Sequence, residues 1–343
     1  TFIRSTVVVW MNNFYNEKER ALQMTNAGLL VDPLDAFLHS RKGEVLADLE
    51  RFDEARISMN RSIELQPGYA SAYSKMSTIM GQLNDLPAKL DWARQAVEVD
   101  PEDHELASAL AIDFYMLGLP EEGDRWANRV MALAPGSDVA RQTLLFGHFS
   151  HGRMAEAEAT AKSMIADQVS PRQGSIWDAV FSYQQLLTKD HRDKEGLEFL
   201  ESVRPDVADF SELAAGQQGT AMQWAAVMMA HQAHGPEVSR ERWAMFLANM
   251  EKTGGAWWTE DGEFALMEPL INGDLDAAVQ IALDMGLSRP VADWISLNEV
   301  YRQPIFEPIT TDPRVTARLA ERDQELAEAK QDVLEMLQRP AWQ

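Results

Sequence analysis

The 343-residue chain has no cysteine, which excludes disulfides, thiolate chemistry and cysteine-ligated zinc and is compatible with a reducing or an oxidising compartment. Positive charge is also scarce. Against 54 acidic residues stand 31 Lys and Arg, a formal charge of −23, so the surface repels phosphate backbones and anionic lipid, and nucleic acid is not an expected ligand. Long apolar runs are missing. The longest uncharged hydrophobic stretch, Trp224 to Ala230, falls far short of the roughly 20 residues that cross a bilayer, so a soluble chain is expected, cytoplasmic or periplasmic. There is no glycine-rich phosphate loop, no Gly-x-Ser-x-Gly and no His-Glu-x-x-His, and no enzyme, cofactor or metal is expected. The chain opens on Thr1 without a signal peptide or an initiator Met, and the expectation is a piece of a longer protein.

What the chain does have is a period. Pro33, Pro67, Pro101 and Pro135 recur every 34 residues, the mark of one small unit copied in series. In blocks starting at Phe2, Ala36, Ala70, His104 and Asp138, position 15 is Asn16, Glu50, Asn84, Gly118 and Gly152. Asn and Gly take a left-handed backbone at least cost, so each block reads as two helices joined by a tight turn, with Glu50 as the exception. Position 20 is Ala21, Ala55, Gly123 and Ala157, with Lys89 in the block from Ala70, where the second helix is expected to enter at a slightly different angle. Small residues there let paired helices approach closely, and bulky ones such as Met59 and Phe114 fill the space between hairpins. No hairpin has a core of its own, so stability is roughly a sum over repeats and their interfaces.

These residues resemble the tetratricopeptide repeat family. The best match runs over 36–135, with Gly43, Leu46, Ala55 and Met59 in one block, Tyr73, Met80, Ala93 and Ala96 in the next and Ala111, Phe114, Ala127 and Pro135 in the third. It weakens over 2–33, where Val9 takes a place usually small, and over 138–205, where the proline slips to Pro171. The resemblance implies an all-α, right-handed superhelical solenoid of antiparallel helix pairs. We expect five hairpins over 1–171, degenerate hairpins continuing the solenoid over 172–311, and a capping helix over 312–343.

Within the degenerate region, TAMQWAAVMMAHQAHG is apolar nearly all round and predicts a helix buried on every side. Gly273 predicts a turn between two further helices. Asp312 before Pro313 is a helix start, and Val315, Leu319, Leu326, Val333, Leu334 and Leu337 predict a narrow apolar stripe on the helix that follows. That stripe suits a cap on the solenoid; a short dimerising coiled coil is the alternative.

Function by resemblance is a noncatalytic scaffold that binds a protein or peptide in a groove lined by the first helix of each repeat. The groove positions carried over are Trp10, Asn13 and Phe14; Ser71, Ser74, Thr78 and Gln82; Ile112, Tyr115 and Met116; and Gln142, Phe146 and Phe149. Ser40 and Glu44 stand where carboxylate-gripping relatives carry Lys and Asn, so with Glu44 and Asp48 in the groove a neutral, apolar or basic segment is the expected partner. Two alternatives stay open. One is a C-terminal regulatory or sensor region, of a bacterial type, behind a DNA-binding or cyclase domain. The other is a small-molecule binder or enzyme within 205–311, using Trp257, Trp258, His231 and His234. The pairs His148/His151 and His231/His234 have a spacing that could put two imidazoles on one helical face, but they fall at a packing position and a helix end, where a structural role suffices.

Overall fold

The computed structural model describes residues 18–167, 175–205, 217–253, 262–291 and 301–342, and among these every regular element is a helix. In the first half the elements are α1 (Lys18–Val31), α2 (Ala36–Asp48), α3 (Phe52–Leu65), α4 (Ala70–Gln82), α5 (Leu86–Val99), α6 (His104–Met116), α7 (Pro120–Leu133), α8 (Asp138–Ser150) and α9 (Met154–Ala166). Four hairpins, α2/α3 to α8/α9, thus follow the 34-residue frame, and α1 is the second helix of the first block.

One local device makes each hairpin. At position 15, Glu50, Asn84, Gly118 and Gly152 all take a left-handed backbone, with φ of 59, 62, 64 and 69°. The next amide then reaches back to a carbonyl five residues earlier: Arg51 to Leu46 at 2.8 Å, Asp85 to Met80 at 2.9 Å, Leu119 to Phe114 at 2.9 Å and Arg153 to His148 at 2.8 Å. This closes the orphan carbonyls of the first helix. Glu50 is therefore no exception in conformation. The same device recurs at His191 (φ 56°) and at the expected turn Gly273 (φ 79°). The prolines act one step later: the residue before each is pushed out of the helical region, as at Gln66, Asp100 and Ala134 with ψ of 82, 84 and 60°. Three of the four first helices, all but α4, open on a side-chain cap one residue upstream: Asp35 accepts from the Leu38 amide at 3.0 Å, Asp103 from Leu106 at 3.2 Å and Ser137 from Ala140 at 3.1 Å.

Because Glu50 carries a side chain where glycine belongs, Glu50→Gly is expected to stabilise the chain by about 0.5–1 kcal/mol despite glycine's greater unfolded freedom, and Glu50→Val to destabilise it. Urea midpoints of the two variants check this.

The chain forms two compact units. One takes Thr1–Asp113, Pro290–Asp293 and Glu328–Gln343, the other Phe114–Arg289 and Trp294–Ala327. In the first, the core joins Ala21, Leu22, Val45, Leu46, Ala55, Met59, Ala72, Met76, Ile79 and Met80. Gly43 sets the approach of α2 to α3: a Cβ there would lie 2.8 Å from Met59 Cε and 3.0 Å from the Ala55 carbonyl. Serine hydroxyls tie paired helices, Ser62 to the Ala36 carbonyl and Ser77 to that of Lys89, each at 2.7 Å. Lys89, the odd residue at position 20, sends its ammonium to Asp113.

The second unit continues with α10 (Ser175–Lys189), α11 (Asp193–Val203), α12 (Gln217–His234), α13 (Pro236–Thr253), α14 (Gly262–Asn272) and α15 (Leu275–Ile281), then short helical turns at 304–310. Its centre is α12, in which residues 222–230 are all buried, as the apolar run predicts. One side of it, with Met222, Ala225, Ala226, Met229 and Ala230, packs with residues of α8 to α11. The other side, with Trp224, Val227 and Met228, packs with Trp243, Phe246, Met267, Ile271, Tyr301 and Phe306. A buried polar chain runs from Gln303 through Gln184 to Thr188 and Asp193, with bonds of 2.9, 3.0 and 2.5 Å. Burial pushes the Asp193 carboxyl above its usual range, and the bond from Thr188 works against that shift.

The last helix, α16 (Pro313–Leu337), begins where Asp312 predicts: the Asp312 carboxylate accepts from the Arg314 amide at 2.8 Å. Val315, Val333 and Met336 are buried within the chain itself, so these apolar positions are used intramolecularly. The stripe differs from the expected one in three places, the first being Met336, which joins its buried side. Leu334 faces solvent, and Arg322 lies buried on the inner side, where its guanidinium donates to the Arg289 carbonyl at 2.7 Å. Arg318 does the same to the Leu287 carbonyl at 3.2 Å, so two cations serve carbonyls just past a helical end.

Candidate protein-binding surface

Groove residues Trp10, Asn13 and Phe14, and the pair Trp257 and Trp258, lie outside the described residues. In the first unit, Ser71, Ser74, Thr78 and Gln82 fall at helical spacing on α4, with Thr78 exposed and the other three half-buried. Gln82 Oε1 is itself buried and has no hydrogen-bond partner, whereas the exposed Thr78 has a hydroxyl that bonds only weakly to the Ser74 carbonyl at 3.4 Å. Small polar side chains line this strip because α4 buries Ala72, Met76, Ile79 and Met80 on its other sides. Ile112 on α6 is half-buried.

Charge beside this strip is already paired. Glu44 receives Arg41 and also Lys75, the latter at 2.9 Å. Ser40 is fully buried, with an unpartnered hydroxyl, so it stands away from solvent and not on an open groove wall.

In the second unit the structure divides the carried-over residues. Met116, Phe146 and Phe149 are half-buried, Phe149 resting on the core around Tyr183. Gln142 is buried, and so is Tyr115, which corrects its place in the groove. The Tyr115 ring fills the space left by Gly123 and Gly147: a Cβ on Gly123 would come within 2.3 Å of it, and one on Gly147 within 3.1 Å of its hydroxyl. The hydroxyl donates to Asp124 at 2.7 Å, and His151 meets both Asp124 oxygens at 3.0 Å. Burial first, then the bond to Asp124, pushes the Tyr115 hydroxyl above the usual phenol range. Burial works to raise Asp124 as well, but the bonds from His151 and Tyr115 outweigh it and hold the carboxyl below the usual range. The cluster staples one hairpin to the turn of the next. Two neighbouring glycines were its sequence signal.

Of the other histidine pair, His231 borders a cleft of about 440 Å³ that is also lined by Gln232, Pro304, Ile305, Glu307, Pro308 and Thr311. His231 Nδ1 lies 2.9 Å from the Ser239 hydroxyl, which in turn donates to the Pro236 carbonyl at 3.1 Å. That chain makes Nδ1 the protonated nitrogen of the neutral ring. Ser239 is fully buried.

Burial lowers the affinity of both His231 and His148 for a proton. The unfolded chain then takes up protons first, so stability is full near pH 7 and falls as pH drops below about 6.5, the free-histidine range. Urea midpoints between pH 7 and 5 are expected to fall, and His231→Gln to flatten that slope.

No helix among the described residues is long and apolar enough to cross a membrane. The repeating hairpin defines the class: no family model and no curated protein matches the chain, but solved structures do. The chain is similar to a tetratricopeptide repeat protein from Parabacteroides merdae, with a TM-score of 0.51 and 14% identity over 80% of this chain and 98% of that one. It is also similar to PilW, a type IV pilus biogenesis factor (TM-score 0.45, 14% identity, 65% of this chain and 97% of that one). A third is YrrB, a repeat protein with an unusual peptide-binding site (TM-score 0.37, 17% identity, 53% and 93%). The fold is of the tetratricopeptide-repeat type.

Proposed function

We propose that this chain is a noncatalytic scaffold that takes a protein or peptide segment on the first helices of its repeats. The observation that carries the proposal is the α4 strip, where exposed Thr78 and half-buried Ser71, Ser74 and Gln82 fall at helical spacing and the Thr78 hydroxyl makes only a 3.4 Å bond to the Ser74 carbonyl. Small hydroxyl side chains let a bound backbone come close and satisfy its polar groups. In the second unit Phe146 and Phe149 offer separate aromatic anchors. The net charge of −23 steers basic segments toward the chain, repels acidic ones and leaves neutral ones unopposed.

A photo-crosslinker placed at Thr78 in the host cell tests this. The expected result is a crosslink to a second protein that disappears when Ser74→Arg blocks the strip. Crosslinks confined to the chain itself would overturn it.

A further inference from the structure

The hairpin that carries the open strip also holds two remote segments of its own chain. At its turn, the left-handed Asn84 aims its side chain outward, and Oδ1 accepts the backbone N–H of Val291 at 2.7 Å across 207 positions of sequence. Val291 is 2% exposed. On its second helix, the Arg94 guanidinium lies over the Trp342 ring, 5.3 Å from the centroid. Trp342 is 3% exposed and sits in a single helical turn, Pro340–Trp342, that follows α16.

Arg94 is built for this contact. Asp91 accepts from its Nε at 3.3 Å and from Nη2 at 3.0 Å, and Glu98 takes Nη1, so three of its nitrogens point along the α5 surface. Held by both acids, the guanidinium lies with its carbon over the Trp342 ring, a cation–π contact. Arg94 needs no tryptophan to be satisfied electrostatically, since Asp91 and Glu98 already pair with it. The ring is an added occupant.

We propose that the α5 face around Arg94 is a docking site for a tryptophan-bearing turn, which the chain fills with its own residues 339–342. The site recognises a tryptophan placed after a proline-initiated turn, and a partner carrying such a turn displaces the resident one. This rests on the scaffold reading of the molecule but adds a second surface, on the second helix of the hairpin and not the first, closed until its internal occupant leaves. The tie from Asn84 to Val291 holds a different segment on the same hairpin, so the hairpin stays anchored to the distal chain when Trp342 is released.

The test uses the full chain and a fluorescein-labelled peptide with the sequence of residues 336–343. Trp342→Ala empties the site and is expected to bind the peptide at least about tenfold more tightly than the native chain, and adding Arg94→Ala to lose that gain, the effect of a desolvated cation on an aromatic face. Equal binding by native and Trp342→Ala chains, or none by a Trp342→Ala chain whose circular dichroism melt is native-like, would overturn it.

Should Trp342→Ala not fold, the absence of cysteine offers a second measurement. Ala341→Cys, at an exposed position, gives a single site for a nitroxide. Its spectrum should be slow in the otherwise native chain and gain a fast component with Arg94→Ala; an unchanged spectrum contradicts the proposal. Neither experiment touches Thr78, so loss of the crosslinked partner at the first helices and loss of peptide binding at α5 report separate failures.

Discussion

Phe114→Ala is expected to lower stability by about 3–5 kcal/mol, the range for deleting a fully buried aromatic side chain whose surroundings cannot collapse into the hole. Phe114 is 0% exposed and is among the largest fully buried side chains. Its carbonyl also takes the Leu119 amide that closes the turn at Gly118, so the residue sits where packing and the hairpin turn meet. A repeat protein has no core within a single hairpin, so a cavity here weakens the packing the hairpin depends on. Phe37, at 38% exposure, is the control: its replacement by alanine should cost under about 1 kcal/mol, as surface changes do. Urea titrations followed by circular dichroism measure both. Equal costs would mean that Phe114 is not a packing residue of the repeat.

The second large effect is a reversal of sign. Glycine inside a helix ordinarily costs up to about 1 kcal/mol relative to alanine, so Gly123→Ala in α7 would stabilise an unconstrained helix. Here the added Cβ would fall 2.3 and 2.4 Å from two carbons of the Tyr115 ring. The ring cannot move aside, because its hydroxyl is held by Asp124 and its far edge by Gly147. Overpacking of that kind costs about 1–3 kcal/mol, so Gly123→Ala should destabilise the chain. Tyr115→Leu removes the obstruction, and in that background Gly123→Ala should be neutral or stabilising, a coupling of at least about 1 kcal/mol in a double-mutant cycle. Additive effects would show that Tyr115 does not lie on Gly123.

These expectations separate what was legible in the sequence from what was not. The period was legible because every block repeats its turn chemistry locally, and the left-handed Glu50 shows that the frame holds even where the residue type argues against it. The buried run 222–230 and the start of α16 at Asp312 were legible for the same reason, since each is a short-range pattern of polarity or capping. The caps Asp35, Asp103 and Ser137 share one block position, but Tyr69 breaks that series, so the capping pattern does not repeat in every block.

Tyr115 shows the limit of carrying positions over from a family. Its place on α6 suits a groove, but the paired glycines at 123 and 147 open a space that draws the ring inward. Arg322 joins the inner side of α16 where it donates to the Arg289 carbonyl, as Arg318 does to that of Leu287, which the local pattern does not encode. The contacts of Asn84 with Val291 and of Arg94 with Trp342 join residues with no shared periodicity, so only the folded chain brings them together.

Hydrogen exchange of the native chain tests the repeated hairpin most directly. If one turn closes every unit, the amides of Arg51, Asp85, Leu119 and Arg153 should exchange slowly and with similar protection, each locked to the carbonyl five residues before it. Fast exchange at these four amides while the flanking helices stay protected would contradict the account.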